Sequence, residues 1–170
     1  MLTPEFVRFL FQYSQWANRR TMDACSSLTN EQFTRNLGSS FGSVRDTLAH
    51  LYGAGWVWNE RFQGRAPSGL PQAAAYPDLA SVRAKLEEMD RYYLDYTAKL
   101  TQQDLDRVIR YKGMTGDEFS NPLWQSLHQL SNHATYHRGQ IVTLLRQLGA
   151  KPVATDLIVY YREQAAAARA

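Results

Sequence analysis

The chain has 170 residues, 44% of them hydrophobic, which suffices for a single domain over residues 1–170 with a full core and no need of disulfides. Its one cysteine, Cys25, has no internal partner, so the expected setting is reducing and cytoplasmic. The net charge of +3 arises from 19 basic residues scattered among 16 acidic ones, too diffuse for a nucleic-acid surface, and no apolar run suits a signal peptide or a membrane span.

In chain order, Thr3-Pro4-Glu5 reads as a helix start, with a hydroxyl cap, a proline where no amide hydrogen is needed and an acid favoured by the helix dipole. This helix is expected to run to about Cys25, with Val7, Phe11, Ser14 and Asn18 along one face beside Leu10, Tyr13 and Ala17. Residues 26–40 read as a connection containing one helical turn at Asn30 to Phe33. A second helix begins near Ser40 to Ser43, its stripe being Val44, Leu48, Leu51, Gly55, Trp58 and Phe62.

Gly64 to Pro77 holds three of the six prolines in the chain and predicts an irregular crossover loop. Asp78 caps a third helix carrying Val82, Leu86, Met89, Tyr93 and Tyr96 to about Leu100. Val108 to Tyr111 and Glu118 to Ser120 flank Gly113-Met114-Thr115-Gly116 as a short hairpin. Asn121-Pro122 is expected to start the longest helix, with Leu130, His133, His137, Ile141, Leu144 and Leu148 on one stripe before Gly149. Thr155 or Asp156 then caps a short terminal helix. The fold class is all-α: a four-helix bundle with a long crossover loop, a hairpin before the last long helix and a short C-terminal helix.

Four histidines occur. His133 and His137, one helical turn apart, project from one face, and that face is apolar, so each imidazole must find partners for two ring nitrogens. His50 lies on the inner edge of the second helix and can approach the pair across the core. A single core histidine is most often satisfied by a carbonyl or a tyrosine. The set of three instead suits zinc, nickel or iron, with positions left open for a small ligand. His128, five residues before His133, points elsewhere.

The sequence His133-Ala134-Thr135-Tyr136-His137 lacks the glutamate of a zincin, which disfavours a metalloprotease. No Glu-x-x-His occurs, which disfavours a carboxylate-bridged di-iron centre. Asp46, one turn before His50, reads as a first-turn acid before it reads as a ligand or a ligand's partner. Cys25, with no histidine near it in sequence, reads as packing.

Several segments resemble the DinB/YfiT-like superfamily of metal-binding four-helix bundles. They are Tyr13-Ser14-Gln15-Trp16-Ala17-Asn18, Asp46-Thr47-Leu48-Ala49-His50, Leu123-Trp124, Asn132 to Gln140, and Leu148-Gly149-Ala150-Lys151-Pro152. Carried over position by position, the family's metal ligands fall on the same His50, His133 and His137. The resemblance implies a divalent metal, often nickel or zinc, and commonly a homodimer. It also implies chemistry in which some relatives use low-molecular-weight thiols as transferases or isomerases. The expectation is a metal-dependent enzyme of the thiol-transferase type acting on a small electrophile, with Asn18, Tyr136, Arg138 and Gln140 as candidate substrate contacts. The alternative is a non-catalytic, metal-stabilised binding or stress-response bundle.

Overall fold

The structure is a computed structural model that describes residues 2–169. Four long helices dominate it: α1 (Pro4–Cys25), α3 (Val44–Phe62), α4 (Leu79–Ala98) and α6 (Leu123–Gln147). Two single-turn helices, α2 (Asn30–Thr34) and α5 (Gln102–Asp106), and a terminal α7 (Leu157–Ala167) accompany them. Strands β1 (Val108–Lys112) and β2 (Glu118–Pro122) form an antiparallel hairpin in which Ile109 faces Asn121 and Tyr111 faces Phe119.

Thr3 and Asp78, two of the side chains named as caps, make the bonds expected of them. Thr3 accepts from the Phe6 amide at the start of α1, and Asp78 forms a reciprocal capping box with Ser81 at the start of α4. Gly149, at φ +73°, follows the end of α6 in the left-handed conformation that a side chain would resist.

The direction of each helix follows from what it buries. One apolar cluster gathers Met22 and Cys25 from the end of α1, Val44 and Leu48 from the start of α3, Val82 and Leu86 from the start of α4, and Ile141, Leu144 and Leu145 from the end of α6. A second cluster gathers Val7 and Phe11, Tyr93, and Leu123, Leu127 and Leu130, with Trp58 and Phe62 against it. Helices α1 and α6 therefore run one way, α3 and α4 the other. Helix α1 packs on α4 and α6, and α3 on the same pair, so α1 and α3 lie diagonally across the bundle although consecutive.

The crossover between α3 and α4 must return along the bundle, because both helices start at the same end. A helix of 19 residues is about 28 Å long at 1.5 Å per residue, and residues 63–78 cover that span easily at about 3.3 Å each.

Two boundaries and one cap differ from the sequence reading. Helix α4 stops at Ala98, and α5 follows as a separate turn held by the Thr101–Asp104 capping box. Its polar Gln102-Gln103-Asp104 gives no apolar period, and only Leu105 is buried. Asn121 and Pro122 close β2 and α6 begins at Leu123, since Pro122 at φ −57°, ψ 143° keeps an extended backbone. Asp156 precedes α7 without a side-chain cap bond. That helix is anchored instead by Tyr13 Oη donating to the Thr155 carbonyl at 2.8 Å and by Trp16 Nε1 donating to Glu163 at 2.8 Å.

Candidate metal centre

Helices α3 and α6 are neighbours, and their facing stripes bring His50 to His133 and His137. The Nε2 atoms of His50 and His133 are 3.1 Å apart, and one ring nitrogen from each of the three residues lies within 4.8 Å of the others. Nitrogens bound to one tetrahedral zinc at 2.0–2.1 Å stand about 3.3 Å apart, so the cluster is near coordinating separation as folded. Among the described residues it is the one such grouping of histidine, cysteine and carboxylate side chains, and it contains no carboxylate.

The electrostatics also suit a cation. Burial, together with the neighbouring imidazoles, pulls His50 and His133 down to about 4, and burial also lowers His137. All three are neutral at physiological pH, the state in which an imidazole offers a lone pair to a metal. His137, only 4% exposed, has Nδ1 at 2.7 Å from Gln140 Oε1. With Nδ1 as the donor, that bond fixes the tautomer and leaves the Nε2 lone pair free. Gln140 in turn donates to Ser40 Oγ at 3.4 Å.

Phe41, in the loop before α3, stacks on His50 with ring centroids 3.9 Å apart and meets His137 edge-on at 5.3 Å. It orients both rings and shields them on one side. His50 and His133 remain partly exposed, so a small ligand has a way in. The donor set, the separations and the neutral rings all fit a divalent ion.

The other candidates separate by what they touch. Asp46 accepts from Ser43 Oγ at 2.7 Å and pairs with Arg45 at 2.9 Å, both contacts of the first turn of α3, and it is no part of the histidine cluster. Gln140 holds a histidine. Tyr136 is 65% exposed and sits edge-on to His137 at 5.1 Å, on the rim of the site. His128 is exposed on a different side of α6. Cys25 is buried, and burial pushes its thiol up to about 12, which removes it as a nucleophile.

Arg138 is 1% exposed and makes its contacts inside the bundle. It donates to Asn18 Oδ1 at 2.9 Å and to Thr135 Oγ1 at 2.9 Å, and its guanidinium lies over the Tyr13 ring at 5.3 Å. Asn18 passes the connection on, donating from Nδ2 to Asp90 Oδ1 at 2.9 Å. Arg138 and Asn18 thus belong to an internal Arg138–Asn18–Asp90 chain joining α6, α1 and α4, and Arg138 is not an exposed substrate contact. Sequence reasoning missed Asp90. On the charged-looking α4 nothing separates it from Glu87, Glu88 and Asp95, and only its pairing with an inward-facing Asn18 could have marked it.

A four-helix bundle with α1 and α3 on one diagonal and three neutral histidines gathered at the α3–α6 seam defines a class of histidine-cluster bundle proteins. Within that class, the chain belongs to the DinB family, whose model matches residues 1–168. Protein DinB of Bacillus subtilis (strain 168) is 27% identical over 161 residues, covering 92% of this chain and 94% of that protein. The protein YizA of the same organism is 23% identical over 148 residues, covering 87% and 91%.

Among solved structures, YfiT from Bacillus subtilis superposes with a TM-score of 0.70 at 18% identity, covering 89% of this chain and 92% of that one. YfiT is described as a probable metal-dependent hydrolase with an unusual four-helix bundle topology. A DinB-like protein from Bacillus cereus superposes with a TM-score of 0.65 at 18% identity, covering 85% and 94%. No described helix of the chain is long and apolar enough to cross a membrane.

Proposed function

We propose that the protein is a metal-dependent enzyme whose centre is His50, His133 and His137, and that it joins a small thiol to a small electrophile. The observation that carries this reading is the convergence of three neutral imidazoles at near coordinating distance, two of them open to solvent, with no carboxylate among them. A divalent ion, zinc or nickel by the donor set, supplies Lewis acidity that lowers the pKa of a thiol and makes it nucleophilic at neutral pH.

The chain's own residues do the rest. Gln140 fixes His137 in the ligating tautomer, Phe41 holds the His50 and His137 rings and excludes water from one side, and Tyr136 offers an exposed ring and hydroxyl to a substrate at the rim. The diffuse surface charge supports a small-molecule substrate over nucleic acid. In this reading the chain is one catalytic domain that acts as a homodimer in the cytoplasm.

A hydrolytic reading takes its support from the description of YfiT. A three-histidine zinc site lowers the pKa of bound water to about 7, but a thiol starts from about 8.5 against about 15.7 for water and ionises more readily at the same ion, which favours the thiol. The test is turnover of zinc- and nickel-loaded protein against a panel of low-molecular-weight thiols and electrophiles, with ester and amide substrates in parallel. Thiol-dependent product formation that His133→Ala abolishes supports the proposal. Hydrolysis without a thiol requirement, or no turnover in a fully metal-loaded protein, overturns it. The second outcome points to a metal-stabilised bundle without catalysis.

A further inference from the structure

Between the four long helices, beside His133, lies a cavity of about 40 Å³ walled mainly by apolar side chains such as Leu51, Leu86, Met89 and Leu130. At about 15 Å³ apiece this is room for two or three waters, and too little for an organic substrate. Besides His133, the wall carries polar side chains from Ser14, Asn18 and Asp90, with the Tyr93 hydroxyl already committed to the Gly55 carbonyl. Ser14 Oγ is buried and has no hydrogen-bond partner among the described residues, which water in the cavity would supply. Asp90 also lines a second, surface groove between α1 and α4, with Gln15, Arg19, Met22, Glu87 and Arg91. It is the one residue common to both spaces and so stands in the wall between the bundle interior and solvent.

We propose that Asp90 is a proton relay between the histidine centre and bulk solvent, working through water in this cavity and discharging into the α1–α4 groove. The inference rests on the reading of the three histidines as a metal centre. When a thiol ionises at the centre its S–H bond breaks and the electron pair stays on sulfur. The proton passes by way of cavity water to a carboxylate oxygen of Asp90, which then releases it to water in the groove. No oxidant or reductant enters.

The surroundings of Asp90 suit this task. Enclosure raises its carboxyl to about 7, against the lowering effect of the Asn18 hydrogen bond and of the Arg138 charge; on its own helix Glu87 raises it and Arg91 lowers it. Arg19 faces it across the groove from α1, while Leu51, Ala54 and Gly55 of α3 bring no charge. A carboxyl near neutrality accepts and returns protons with little cost in either direction.

The experiment is ¹³C NMR titration of aspartate-labelled full-length protein, metal-free and zinc-loaded, with Asp90→Asn used to assign the Asp90 signal. The expected midpoint without metal is near 7, and zinc should lower it by about half a unit or more as a cation appears near the same cavity. A midpoint near the ordinary value of about 4 in both forms, or one indifferent to bound zinc, overturns the relay alone. Failure to take up zinc overturns both readings.

In turnover, Asp90→Asn should slow thiol consumption by about 10²-fold at unchanged metal content, with partial recovery in formate or imidazole buffer. Ser14→Val, which narrows the cavity and removes its hydroxyl, should slow it at unchanged metal content. A loss in Asp90→Asn that no buffer acid restores marks a structural role and contradicts the relay. Absence of any thiol turnover removes the enzyme reading, and the NMR titration still decides whether Asp90 is coupled to the centre.

Discussion

At the scale of single residues, the site depends on groups that touch no substrate. Gln140 accepts from His137 and fixes its tautomer, and loss of such an outer partner commonly costs 10- to 100-fold in metal affinity. Gln140→Ala should therefore weaken zinc binding by about that factor in competition with a chromophoric chelator, without unfolding the protein. An unchanged affinity would show that Phe41 alone orients the ring. Asp90 gives a prediction whose sign depends on pH. Its folded value, about 7, lies above the ordinary 3.8, so the folded state holds the proton more tightly than the unfolded chain does. Its contribution to stability is complete below the unfolded value and is lost as pH rises through 7. Asp90→Asn, neutral throughout, should gain stability relative to the parent between about pH 4 and pH 8 in denaturant titrations of metal-free protein. A pH-independent difference would show that the carboxyl titrates normally.

At the scale of elements, the α3–α4 contact is set by a small residue. A Cβ on Gly55 would lie 3.0 Å from Met89 Cγ and 3.6 Å from Tyr93, whose hydroxyl donates to the Gly55 carbonyl at 2.8 Å. Flexible Met89 can yield to a methyl group but not to a branched side chain. Gly55→Val should therefore cost about 1–3 kcal/mol by overpacking, read from the denaturation midpoint, while Gly55→Ala stays near neutral because alanine favours the helix. The long helices were legible in the sequence because each carries an apolar stripe at helical spacing, and α1, α3 and α4 open on a capping side chain of recognisable chemistry. His133 and His137 were legible for the same reason, being fixed on one face by one turn. What eluded the sequence lies where signals are short or depend on distant partners. Helix α5 has one buried residue, Pro122 fits a strand end as well as a helix start, and Arg138 could not be distinguished from a surface cation until Asn18 and Asp90 were seen across the core from it.

At the scale of the whole molecule, the diagonal placement of α1 and α3 leaves α3 against α6, and the histidines bridge that seam. A ligand that binds only the folded state stabilises by mass action, by about 4 kcal/mol at a thousand times its dissociation constant. Zinc at that excess should raise the melting temperature by about 8–16 °C, since 1 kcal/mol shifts a domain of this size by about 2–4 °C. Removal of the metal with a chelator should reverse the gain, and equal melting with and without zinc would separate the histidines from the stability of the bundle. The most direct test of the metal centre is elemental analysis of the purified, untagged protein beside His50→Ala, His133→Ala and His137→Ala. About one zinc or nickel per chain is expected in the parent, lost in each of the three variants, all still helical by circular dichroism. A parent protein that takes up no metal after reconstitution with zinc or nickel, or variants that retain it, would contradict the claim that these histidines form a metal centre.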